Sequence, residues 1–101
     1  MKETDLLQEV RMKASQLGAV MWRNNSGAYK TSAGHYIKYG VANPGGSDLI
    51  GIYKGKFTAL EIKLPNKQPT VEQRNFLDTV TKNGGIAAVI THPDQLENIL
   101  K

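Results

Sequence analysis

Apolar positions recur at helical spacing near the start of the chain. Leu6, Leu7, Val10, Ala14 and Leu17 fall on one arc, which predicts a helix over Thr4 to Leu17. Gly18 supplies its C-terminal cap. Ala19 to Arg23, AVMWR, reads as a short strand. The polar, glycine-rich stretch NNSGAYKTSAG, Asn24 to Gly34, reads as a loop, and Tyr36 to Tyr39 as a short strand. Asn43-Pro44-Gly45-Gly46 marks a turn. Two apolar strands follow, Leu49 to Tyr53 and Lys56 to Leu64, hinged at Lys54-Gly55. Thr70 to Asn83 is a second predicted helix: Thr70-Val71-Glu72-Gln73 fits a capping box, and Gly84-Gly85 ends it. The continuous run IAAVI, Ile86 to Ile90, predicts a strand buried on both faces. His92-Pro93-Asp94 opens a short last helix, with His92 as its cap.

The order is helix, strand, loop, hairpin, helix, strand, helix. The second hairpin strand, the second helix and IAAVI form a β-α-β unit, whose strands are expected to be parallel with a right-handed crossover. The expected fold is therefore α/β, a mixed sheet flanked by helices. No repeat or linker divides the 101 residues, so one domain spanning 1–101 is expected.

A two-residue turn at Lys54-Gly55 fixes the hairpin register. Tyr53 then faces Lys56, Ile50 faces Ala59, and Asp48 falls opposite Glu61. Side chains alternate along a strand, so Asp48, Ile50 and Ile52 share a face with Phe57, Ala59, Glu61 and Lys63. Opposed residues have Cβ atoms roughly 4.5–5.5 Å apart. Two carboxylates and an ammonium thus converge at one end of the sheet. Like charges set opposite each other are destabilising unless something positive lies between them. Two readings satisfy this: a surface ion cluster neutralised by Lys63, or a site for a hard divalent cation such as Mg²⁺.

Two more polar residues lie on inward arcs. Gln73, Phe76, Leu77 and Val80 have the spacing of one helix face, so Gln73 either closes the capping box, points at the acids, or does both. Glu3 projects onto the middle of the first helix's apolar arc, and is either a terminal acid favoured by the helix dipole or a site residue. Glu9 borders the same arc.

Composition narrows the chemistry. The chain has 13 Lys and Arg against nine Asp and Glu, a net charge of +4, and a pI near 9.4. This modest excess is compatible with nucleic acid as partner. There is no cysteine and there are two histidines, which excludes disulfides, a thiol nucleophile and a Cys/His zinc site. No phosphate-binding loop is present, so no nucleotide cofactor is expected. No apolar run reaches membrane-span length and MKETDLLQEV lacks a signal-peptide core, so a cytoplasmic protein with no membrane partner is expected.

The pieces just described resemble the virus-type replication-repair nuclease family (VRR-Nuc), a branch of the PD-(D/E)xK nuclease superfamily. The resemblance runs from Glu3 to Ile90. It rests on a helix with an early Glu, then VMWRNNSG, GGSD, LEIK, VEQRNFL and NGG, in the family's order. Ser47 stands where the family usually has Pro or a small residue before the Asp. The resemblance implies a restriction-endonuclease-like αβββαβ core and a nuclease dependent on Mg²⁺ or Mn²⁺. Asp48 and Glu61 would be metal ligands with the backbone carbonyl of Ile62. Lys63 would be the catalytic lysine, Gln73 the helix-borne glutamine, and Glu3 the N-terminal acid of the same site. It also implies a stand-alone, phage-type member, similar to archaeal Holliday-junction resolvases and acting as a homodimer on branched DNA. A two-fold dimer suits a four-way junction, which has two equivalent scissile phosphates.

Asn24 to Asn43 carries Lys30, Lys38, His35, Tyr29, Tyr36 and Tyr39. Basic residues interleaved with aromatics contact phosphates and stack on unpaired bases. Arg23, Asn24, Asn25 and Ser26, which precede them, and Ser47, beside Asp48, complete the expected DNA-contacting set. The other reading is a solvated loop whose tyrosines cover the sheet. No base-reading helix is evident, so recognition by DNA shape is expected. Three functions stay in competition: a junction-directed endonuclease, a flap-directed or restriction-like nuclease, and a non-catalytic DNA-binding module.

Overall fold

A computed structural model describes all 101 residues. Helix α1 spans Glu3–Gln16, β1 Val20–Arg23, β2 Gly27–Lys30, β3 Tyr36–Tyr39, β4 Leu49–Tyr53 and β5 Lys56–Ile62. Helix α2 (Val71–Lys82) and β6 (Ile86–Ile90) follow, then a 3₁₀ turn (Pro93–Gln95) and α3 (Leu96–Ile99). The fold is α/β, built on a four-stranded mixed sheet ordered β1-β4-β5-β6. The β1–β4 and β4–β5 pairs are antiparallel and β5–β6 is parallel.

The strongest local signals act as anticipated. Gly18 takes φ +95° and ends α1, with Ala19 N–H donating to Ala14 O at 2.9 Å. Thr70 caps α2: its hydroxyl accepts from Gln73 N–H at 3.2 Å, while the Gln73 side-chain oxygen accepts from Thr70 N–H at 2.9 Å. Such a cap contributes about 1 kcal/mol. Lys54 and Gly55 both have positive φ, 49° and 79°, the conformation a tight two-residue hairpin turn requires. The register follows from that turn: Tyr53 faces Lys56 and Leu49 faces Leu60.

Each face of the sheet has its own core. Leu6, Leu7, Val10 and Ala14 of α1 pack with Leu49, Leu60, Ile62, Ile90 and Leu96. On the opposite face, Leu77 and Val80 of α2 pack on Ala59, with Phe76, Ala87 and Val89 at the margin. The α1-side core needs β1 and β4 in close approach. A Cβ on Gly51 would stand 2.0 Å from the Val20 carbonyl oxygen, so no larger residue fits in the middle of β4.

Two expectations are corrected. Gly27–Lys30 is not loop: it pairs with Tyr36–Tyr39 as a separate antiparallel ribbon. Its residues show no apolar alternation, because neither face of the ribbon is buried. The IAAVI strand packs against both cores, through Ile86, Ala88 and Ile90 on one face and Ala87 and Val89 on the other, but the cover is partial: Ile86 to Val89 are half-buried, and Ile90 alone is fully covered.

Candidate active site

The sheet brings three chain segments to one end. β5 finishes there at Ile62, β4 starts there at Leu49, and β1, parallel to β5, finishes there at Arg23. Helix α2 runs back across the sheet from the same end, so its first turn lies near it. Asp48 thus falls beside Glu61 in register, as the hairpin count requires.

Asp48 is held from the backbone. Its Oδ2 accepts from Ile62 N–H at 2.8 Å, and its carbonyl accepts from Asn24 N–H at 2.8 Å. Glu61 is only 1 % exposed. Lys63 Nζ lies 3.1 Å from Glu61 Oε2. The other carboxylate oxygen, Glu61 Oε1, is buried without any hydrogen-bond partner. Burial, then the Asp48 charge, push the Glu61 carboxyl up to about 7; the hydrogen bond and charge of Lys63 pull the other way without restoring it. A buried carboxylate oxygen with no donor is costly, and the one lysine here does not cover it. A proton held on Glu61 and shared with Asp48 satisfies this oxygen in the absence of metal; a cation placed between the two carboxylates would satisfy it with both ionised. A hard cation takes carboxylate oxygens from one or two residues and fills its remaining positions with water and phosphate. Asp48 and Glu61 fit that donor set.

Comparison with protein-family models and with curated proteins finds no match to this chain. The site therefore stands on its own geometry.

Several expected site residues go elsewhere. Glu3 is exposed in the first turn of α1, the helix packed on the sheet face opposite α2, and no group of three or more acidic or histidine side chains is placed to share an ion. The acid pair stands without it. Gln73 lies in the first turn of α2, where its side-chain oxygen is engaged in the capping box. The Ile62 amide holds Asp48, a contact that leaves the role expected of its carbonyl untouched. Ser47 offers DNA no surface: it is 2 % exposed, and its hydroxyl donates to Leu49 O at 2.8 Å.

Asn24 is the residue whose role sequence reasoning missed. Its place between Arg23 and Asn25 suggests a phosphate contact, yet its side chain is used inside the protein. Nδ2 donates to Val41 O and Ser47 O, both at 3.0 Å, and Oδ1 accepts from Val41 N–H at 2.9 Å. It staples the end of β1 to the chain returning towards Asp48. Gly46 makes room for this staple, since a Cβ there would stand 1.9 Å from Val41 O. No motif encodes such a brace. Asn24→Ala removes three hydrogen bonds at once and is expected to cost about 2–3 kcal/mol, read as a lowered midpoint in urea unfolding.

Arg23, Asn25 and Ser26 remain exposed. With Asn24, Tyr39 and Asp48 they line a polar hollow that opens beside the acid pair.

Proposed function

We propose that this chain is a Mg²⁺- or Mn²⁺-dependent endonuclease that hydrolyses phosphodiesters in branched DNA, with a restriction-endonuclease-like core. The buried, unpartnered Glu61 oxygen beside Asp48 and Lys63 carries the proposal. The element order α1-β1-β4-β5-α2-β6, with the β2–β3 ribbon inserted after β1, supports it.

The residues divide the work. Asp48 and Glu61 would hold the cation, Asp48 being fixed in place by Ile62 N–H. The chemistry such a cation would supply is polarisation of a phosphoryl oxygen and activation of a water. Hydrolysis adds a water oxygen to phosphorus and breaks one P–O ester bond, and the departing oxygen takes up a proton. Lys63, positioned by Glu61, donates hydrogen bonds to the incoming water or to the phosphate as its charge builds. Arg23, Asn25 and Ser26 line the hollow in which the adjoining backbone would lie.

A homodimer belongs to the same proposal. Val20, Ile52 and Phe57 form a row across β1, β4 and β5. With Trp22 they leave an apolar strip 43–55 % exposed where α2 does not reach. The strip shares its sheet face with Asp48 and Glu61, so two-fold pairing through it would set two sites on one side of a dimer. Ile52→Asp is expected to shift the protein to monomer in sedimentation velocity with little change in its circular dichroism. A monomeric wild type would remove the dimer.

Cleavage of an end-labelled four-way junction, beside a linear duplex of matched sequence, tests the activity in Mg²⁺, Mn²⁺ and EDTA. Paired nicks confined to the junction are the expected result. Metal-dependent cutting of both substrates would keep the nuclease and remove junction preference. Tight binding without cutting in either metal would leave a DNA-binding module.

A further inference from the structure

The β2–β3 ribbon is the part of the molecule whose side chains the fold does not use. Tyr36, Tyr29, Tyr39 and Ile37 are 74, 53, 50 and 44 % exposed. A free two-stranded ribbon is marginal in water, so this one depends on its base. Asn43 Nδ2 donates to Gly27 O and Tyr39 O, both at 2.8 Å, and the Asn24 staple holds Val41.

The pairing sorts its side chains. Gly27 faces Tyr39 and Tyr29 faces Ile37, so one face carries two tyrosines and an isoleucine. The Tyr29 and Tyr39 rings lie 6.5 Å apart, and the Tyr39 ring spreads over Gly27, where a Cβ would meet its hydroxyl at 2.6 Å. Ala28 faces Lys38 and Lys30 faces Tyr36, which puts both lysines on the other face. Both lysines thus lie on the face opposite Tyr29, Ile37 and Tyr39, with Tyr36 beside them. Tyr39 also lines the hollow that holds Asp48, so the aromatic face continues directly from the acid pair. From Val10 to Ser47 the chain has no acidic residue and five basic ones.

We infer that the β2–β3 ribbon is a wedge for branched DNA: its Tyr29/Ile37/Tyr39 face stacks on unpaired bases at the branch, and its Lys30/Lys38 face neutralises phosphates of the neighbouring arm. The inference rests on the nuclease reading for its substrate, but its test does not require cleavage. Flat rings suit exposed bases, whereas the edges of a closed duplex offer them nothing to stack on. The ribbon then supplies the preference for branched over linear DNA.

The test is binding in EDTA, followed by fluorescence anisotropy, with three labelled probes: a four-way junction, a fork with unpaired arms and a linear duplex. The Tyr29→Ser/Tyr39→Ser pair is expected to lower the fork-to-duplex and junction-to-duplex affinity ratios at least about tenfold. Tyr29→Phe/Tyr39→Phe keeps the preference, because stacking needs the ring and not the hydroxyl. Lys30→Ser/Lys38→Ser weakens all three probes alike and flattens the salt dependence by about one to two in log–log slope. 2-Aminopurine at the first unpaired position is quenched by wild type and by the Phe pair, and not by the Ser pair. Tyr29→Ser alone repeats the measurement should the double variant misfold. An unchanged fork-to-duplex ratio in the Ser variants overturns the wedge and leaves the nuclease standing. Failure of wild type to bind any probe overturns both.

Discussion

Asp48→Asn is expected to abolish metal-dependent cleavage, lowering the rate about a thousandfold or more. That equals about 4 kcal/mol of transition-state stabilisation, the scale of one bound cation's contribution. The change is nearly isosteric. The asparagine oxygen can still accept from Ile62 N–H, so the bond that orients this side chain at 2.8 Å survives. Folding and DNA affinity in EDTA are therefore expected to match wild type, which separates lost chemistry from lost structure. Lys63→Ala is expected to fall as far by another route, since it strips Glu61 of the ammonium 3.1 Å away. Single-turnover cleavage of a labelled junction reads both variants, and wild-type rates in either would remove the site.

Without metal, the stability of the protein is expected to fall as pH rises from about 4.5 to about 7. The cause is Glu61, whose carboxyl is raised from 4.5 to about 7 by burial and by Asp48. Between those values the folded state holds a proton that the unfolded state has released. Stability from such a group is complete below the unfolded value and is lost as pH climbs through the folded one. The two values lie about 2.5 pH units apart, which amounts to about 3 kcal/mol above neutrality. In a domain of this size that lowers the melting temperature by roughly 10 °C or more. Glu61→Gln is expected to flatten this slope in EDTA. Mn²⁺ or Mg²⁺ at a hundredfold above its dissociation constant should restore about 2.7 kcal/mol to wild type at pH 8. Neither Glu61→Gln nor Asp48→Asn should respond. Thermal unfolding across pH, with and without metal, measures all of this without any DNA; a wild type indifferent to metal would sink the assignment.

The acid pair was legible because a two-residue turn leaves only one register. Once Lys54 and Gly55 occupy the turn, counting outward places Asp48 against Glu61. The second helix was legible because its cap is written in four consecutive residues. The ribbon was not. Gly27 to Lys30 lacks strand patterning since neither of its faces is buried, and pairing with Tyr36 to Tyr39 depends on amide side chains at Asn24 and Asn43. Ser47 and Glu3 failed for one shared reason: position in a motif does not state which way a side chain turns. Ser47 turns inward to Leu49 O, and Glu3 lies out in solvent. The IAAVI run was legible as a strand with a core on each face, but apolarity did not show that Ile86 to Val89 would be only half-covered at the margin of the sheet.

The ribbon joins the rest of the protein only through its base, where Asn24 and Asn43 hold it. Its tip, Thr31 to His35, is closed by its own bonds, Thr31 N–H to His35 O and His35 N–H to the Thr31 hydroxyl. Nothing in either core or in the acid pair depends on what the tip contains. Insertions there would be tolerated as they are at other exposed loop ends. The chain thus carries a replaceable tip on a fixed base: residues 31 to 35 can be lengthened, shortened or exchanged while both cores and the Asp48–Glu61 pair stay as they are.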